Sequence, residues 1–186
     1  MTLLAIGLVL FIGIHLLPMA THLRARTVAS LGLAPYRAAF SLVSALGLVL
    51  IILGKSSASF IHVWNGWPPA FKLAHAVMPV AFILLVAANM PTYIRHWTKH
   101  PMLIGVALWG AIHLAANGDL ASILLFGSLL VWALVDMVSA TRRGQTLEKT
   151  GVRPSLRFDA LAVLVGAAAF WLVARFHDVL FGPAVM

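Results

Sequence analysis

The sequence predicts an all-α, polytopic integral membrane protein: six transmembrane helices in one bundle, forming a single domain over residues 1–186. Three observations carry this reading. First, 62% of residues are hydrophobic and 10% charged, with a mean hydropathy of +1.00; a soluble domain has roughly 45–50% apolar and about 25% charged residues. Second, apolar runs near the ~20 residues that cross ~30 Å of hydrocarbon recur between short polar stretches. Third, Lys and Arg gather in alternate loops. A water-soluble globule is excluded, and the length leaves no room for an appended soluble enzyme domain. The net charge of +8 is therefore a topology signal and not a nucleic-acid patch. The lipid bilayer is the expected partner, with no nucleic acid. Cysteine is absent, which removes disulfides, thiolate metal sites and covalent haem attachment through C-x-x-C-H.

The first apolar run extends from Thr2 to about Ala20. It lacks a basic segment ahead of it and reads as a retained span, not a cleaved signal. The second runs from about Ala38 to Gly54, and the third from about Phe71 to Met90, closed by Pro91. The fourth begins at His100-Pro101 and stops at Asn117-Gly118, since Pro suits a first helical position and Gly a helix exit. Asp119 then caps a fifth span reaching about Ala140, and the sixth covers Ala160 to about Leu180.

Arg24, Arg26 and Arg37 fall in the first loop, Arg95 and Lys99 in the third. Arg142, Arg143, Lys149, Arg153 and Arg157 fall in the fifth, making ten cations on one side. The other side has two, Lys55 and Lys72. Odd-numbered loops are thus expected in the cytoplasm, with both termini on the periplasmic side of the inner (cytoplasmic) membrane. The loop Trp64-Asn65-Gly66-Trp67-Pro68-Pro69 reads as an aromatic anchor at the outer interface.

Eight histidines in so apolar a chain need a reason, because ionisable groups inside a bilayer mark cofactors, relays or substrate paths. His62, His96 and His177 lie at interfaces, and His22 just beyond the first span. His15, His75 and His113 lie within apolar runs, with His100 at the mouth of the fourth. Gly105, Trp109, His113 and Asn117 recur at four-residue steps and share one helix face. Gly7, Phe11 and His15 repeat the pattern in the first helix. Small residue, aromatic plate and imidazole on one stripe suit a flat macrocycle such as haem b, whose iron takes neutral imidazole as an axial ligand. The plainer reading is histidines bonding across helices, with glycines for close contact. H-E-x-x-H, G-x-S-x-G and P-loop patterns are missing, and Asp119, Asp136 and Asp178 all lie toward helix ends.

At Phe11-Ile-Gly-Ile-His15, Tyr36-Arg37-Ala-Ala-Phe40-Ser41 and the block from His100-Pro101 through Trp109 and His113 to Asn117-Gly118-Asp119, the chain resembles the NnrU family, nearly end to end. That family includes bacterial membrane proteins associated with denitrification and nitric oxide metabolism. It also includes zeta-carotene isomerase, a haem b enzyme that turns a cis polyene bond trans. The resemblance implies haem b held by His15 and His113. It also implies either a haem-dependent isomerase or redox enzyme acting on a membrane-soluble substrate such as a polyene, or a non-enzymatic haem protein that senses nitric oxide. A cofactor-free assembly factor is the remaining alternative. The plant enzyme carries a cysteine one turn before its second ligand histidine; Gly110 stands there in this chain, so no thiolate takes part.

Helix geometry raises a rival. His15 lies about 4–5 Å inward of its span's middle, while His113 lies about 7–8 Å outward, by the rise per residue. His75, ~9 Å outward, matches His113 more closely. Both ligand pairs stay open at this point. If the haem lies outward, its propionates need a partner there; Lys55, Lys72, His62, His177 and Arg175 are available. Arg175 suits best, because its planar fork matches a carboxylate and it sits in an apolar run. The alternatives for Arg175 are snorkelling to headgroups or pairing with Asp178, and if His15 is the second ligand the propionates turn inward to Arg24, Arg26 or Arg37 instead.

Overall fold

The computed structural model describes residues 1–144 and 152–181, the last four by backbone alone. Lys149 and the Asp178 side chain thus lie outside the described residues. The described chain is helical, with no strand among the described residues and one isolated bridge, His62 to Asp119. It forms two compact units, Met1–Ile61 and His62–Met186.

In the first unit, α1 (Thr2–Leu16) and α3 (Leu33–Ser56) run antiparallel, joined through α2 (Thr21–Leu31). Glycine sets their separation: a Cβ on Gly7 would meet the backbone of Ile51 at 2.6 Å, and one on Gly47 the Phe11 amide at 2.8 Å. At Gly54 the Leu4 backbone is closer still. Three bare positions let the two backbones touch, which replaces the hydrophobic drive that lipid cannot supply. The first helix stops at Leu16, short of the expected Ala20, where Pro18 lacks the amide that would continue the ladder. After a four-residue break the chain bends by 88° into α2. Gly32, with φ of +87°, then turns it into α3. That helix starts at Leu33 and not near Ala38, because Pro35 sits in the first turn, where its missing N–H is no loss.

The second unit is built on α4 (Pro69–Ala87), α6 (Pro101–Ala116), α8 (Ser128–Arg142) and α9 (Leu156–Phe181). Between them lie α5 (Tyr93–Thr98), the single turn α7 (Leu120–Ser122) and a π-turn, Ile123–Gly127. The α4 helix packs against both α6 and α9, and α6 against α8. Gly105 sits against the Ala81 carbonyl, Gly110 against that of Phe126, and Gly166 against Ile83. These contacts run antiparallel. The start of α4, the end of α6, the start of α7 and the end of α9 therefore share one end of the unit.

Hydrogen-bonded loops close both ends. At one, the amides of Val63 and Trp64 both donate to the Gly118 carbonyl, at 2.9 and 3.1 Å, and Trp67 N–H donates to Ala115 at 2.8 Å. The fit leaves no room for a Cβ on Gly118 or Gly66, which meet the carbonyls of Trp64 and Ala116. Asp119 caps the following turn, accepting from Ser122 N–H at 3.0 Å, as its position predicts. At the opposite end, Asp159 accepts from the amides of Tyr93 and Ile94 at 3.0 and 2.9 Å. Buried Thr92 accepts from Arg95 N–H at 2.9 Å.

Four helices are long and apolar enough to cross a bilayer: Leu33–Ser56, Pro69–Ala87, Leu120–Arg142 and Leu156–His177. The α1 and α2 helices meet that test only together, as a bent pair, and Pro101–Ala116 is a shorter apolar helix.

Candidate functional site

The histidines of α1, α4 and α6 share one local geometry. His15 Nδ1 lies 2.6 Å from the Phe11 carbonyl, His75 Nδ1 3.0 Å from that of Phe71, and His113 Nδ1 2.8 Å from that of Trp109. Each partner is the residue four positions back, and each is aromatic. A carbonyl oxygen only accepts, so Nδ1 carries the hydrogen in all three rings. In the neutral ring the lone pair is then on Nε2, the tautomer that a metal ligand needs.

His113 has the most developed surroundings. Its half-buried ring stands 4.7 Å from Phe126 and 5.4 Å from Trp109, and those two rings meet edge to face at 4.9 Å. Phe126 belongs to the π-turn. Such turns place an extra residue in the helix and often mark functional positions. The His113 carbonyl takes two bonds from Asn117, 2.9 Å from its backbone N–H and 2.8 Å from Nδ2. Asn117 thereby ends the helix directly beneath the Trp64–Gly118 bonding. Gly105, two turns earlier on the same face, is filled from α4 by the Ala81 carbonyl and Leu85.

His75 lies on an exposed face of α4, at the end of the unit that also holds His113. Pro79 has no N–H to offer the His75 carbonyl four residues back, which loosens the helix at that point. Arg175 and His177 come to the same end on α9. Arg175 is exposed, its guanidinium 5.7 Å from the Phe176 ring.

In the first unit, the His15 ring stacks at 4.3 Å on Phe11 and meets Phe40 edge-on at 5.1 Å. Tyr36 extends the aromatic row, 6.3 Å from Phe40. Gly7, on the same stripe, is occupied by the α3 backbone. The spacing of Phe11, His15, Trp109 and His113 was visible in sequence. Phe71 was too, by the same four-residue step from His75. Phe126 and Phe40 carry no such signal, because they reach their histidines across a helix interface.

Among the described residues no three His, Cys, Asp or Glu side chains cluster as a metal-ion site. The donor set offered instead is single neutral imidazoles on apolar, aromatic walls. That fits haem, whose iron takes one nitrogen from each face and whose macrocycle needs flat apolar neighbours.

A family model described as NnrU protein matches residues 3–185. No curated protein and no solved structure matches the chain.

Proposed function

Because the chain belongs to the NnrU family, we propose that it is a membrane-bound b-type haem protein with His113 as one axial ligand. The second ligand is His15 or His75. It acts on a membrane-soluble substrate, with cis–trans isomerisation of a polyene as the model reaction. The protein crosses the inner membrane six times, with both termini outward. The α1 and α6 helices supply the two spans beyond the four long ones. At 15 and 16 residues they reach about 22–24 Å, a shortfall that local bilayer thinning accommodates.

The observation that supports this most directly is the bond from Nδ1–H to the carbonyl four residues back, repeated at all three histidines. It orients each ring and raises the basicity of Nε2. Haem iron, when bound, supplies an electron-accepting centre able to engage a conjugated chain. Trp109 and Phe126 give that centre a flat apolar wall. The bonds from Val63 and Trp64 to Gly118 fasten the end of α6. Arg175 offers a bidentate partner to a carboxylate at the same end of the unit. With Gly110 where the plant enzyme has cysteine, and no cysteine elsewhere in the chain, no thiolate from this chain ligates the iron.

Absorption spectra of the detergent-purified protein, oxidised and reduced, test this. A sharp Soret band with resolved α and β bands is expected, and His113→Ala should abolish it. An unchanged spectrum in that variant removes His113 from the site. Running His15→Ala and His75→Ala in parallel identifies the second ligand, since only one should behave like His113→Ala. Rapid conversion of the reduced spectrum on adding nitric oxide, with no polyene turnover, would favour a sensing role instead.

A further inference from the structure

We propose that the corner formed by the end of α1, by α2 and by the first turns of α3 binds the headgroup phosphates of anionic phospholipids. Its donors are the guanidiniums of Arg24, Arg26 and Arg37.

Orientation comes first. A spanning helix stands within about 20° of the bilayer normal on average, so a helix bent from α1 by 88° runs close to the membrane plane. It does so where the apolar stretch of α1 ends, at headgroup depth. No residue of α2 is buried, and Leu23 and Leu31 are 55% and 53% exposed. Leu23, Thr27 and Leu31 form one stripe, and His22, Arg26 and Ser30 the next stripe round. A helix lying in the interface needs both, one side toward acyl chains and one toward headgroups.

Charge supplies the occupant. Residues 1–61 contain no Asp or Glu. The described carboxylates elsewhere are engaged within the second unit: Asp119 with Ser122, Asp136 with Arg143, and Asp159 with Tyr93 and Ile94. Arg24, Arg26 and Arg37 are all exposed. Arg24 is held at the α2–α3 joint, its guanidinium 5.7 Å from the ring of buried Tyr36, a contact that fixes the cation without neutralising it. Arg24 and Arg26 on α2 and Arg37 in the second turn of α3 bring three exposed guanidiniums to this corner, and they match phosphate in charge and in their fork of donors. The positive-inside rule counts such residues, whereas this corner arranges them.

The test uses the full chain in detergent, offered equal amounts of phosphatidylglycerol and phosphatidylcholine, with retained lipid counted by mass spectrometry. Attraction near an anionic surface is worth roughly fivefold per cation, so wild type should retain phosphatidylglycerol with at least a severalfold preference. The triple variant Arg24→Gln, Arg26→Gln, Arg37→Gln should lose the preference, and Lys55→Gln should keep it. If the triple variant fails to fold, Arg26→Gln alone should lower the preference severalfold. Equal retention by wild type, or a preference that survives these substitutions, overturns the proposal. Free glycerol phosphate that displaces the lipid at millimolar level would reveal a soluble phosphate ligand, and would overturn the lipid assignment.

Discussion

The two units solve the same problem by opposite means. Residues 1–61 hold α1 to α3 by bare backbone contact at Gly7, Gly47 and Gly54, and they contain no carboxylate. Residues 62–186 close both ends of the helices with capped, hydrogen-bonded loops, using Asp119 at one and Asp159 at the other. A pair of helices meeting on glycine needs no polar fastening along its length. A group of four antiparallel helices with three connections has many terminal amides to satisfy, and Asp119 and Asp159 serve them, while Asp136 pairs with Arg143.

If close contact holds the first unit, Gly54→Ala should cause the largest loss. Its Cβ meets Leu4 backbone, which cannot swing aside, and overpacking of this kind costs about 3 kcal/mol at the upper end. Thermal unfolding in detergent measures it. Gly13→Ala is the control, since nothing lies within 4 Å of that position, and it should be neutral or slightly stabilising. Equal melting of both variants would break the contrast. In the second unit, Asp159→Ala should cost about 1–3 kcal/mol by stranding two amides, and Asp119→Ala about 1 kcal/mol by removing a helix cap. Amide exchange at Tyr93 and Ile94 should quicken in the first variant alone.

The smallest effect is one of pH. His100 stands at the start of α6, with Nε2 3.0 Å from Thr141 Oγ1. That hydroxyl already donates to the Met137 carbonyl at 2.8 Å, so it accepts from the ring. Burial lowers the His100 pKa from its ordinary 6.5; Asp136 opposes the shift, and Arg143 and Lys99 add to it. A lowered value means the folded protein binds fewer protons than the unfolded chain. The stability contributed is complete above pH 6.5 and falls as pH drops through that value toward the folded pKa. His100→Gln should flatten this slope between about pH 7 and 5, and an identical slope in the variant would remove His100 as its source.

Much of this was legible in the residues. Pro101 and Gly118 bracket α6, and Asp119 caps the next turn, because those residue types act through their own backbone and side-chain chemistry. The helices α2 and α5 were not legible, since short polar helices leave no mark on hydropathy. The pairing of Trp109 with His113 followed from helical spacing. Phe126 did not, because a π-turn changes which side of the helix a residue faces. Gly7 and Gly105 illustrate a different limit. Glycine opens space, and only the fold decides what enters it, here the backbone of α3 and the Ala81 carbonyl of α4.

The bonds from His15, His75 and His113 to the carbonyls four residues back have a consequence for biosynthesis. Ring orientation and tautomer are both encoded within a five-residue stretch of a single helix. Each imidazole therefore finds its carbonyl as soon as its own turn forms, whatever the rest of the chain has yet to do. No contact from another helix is needed to make this bond or to set the hydrogen on Nδ1.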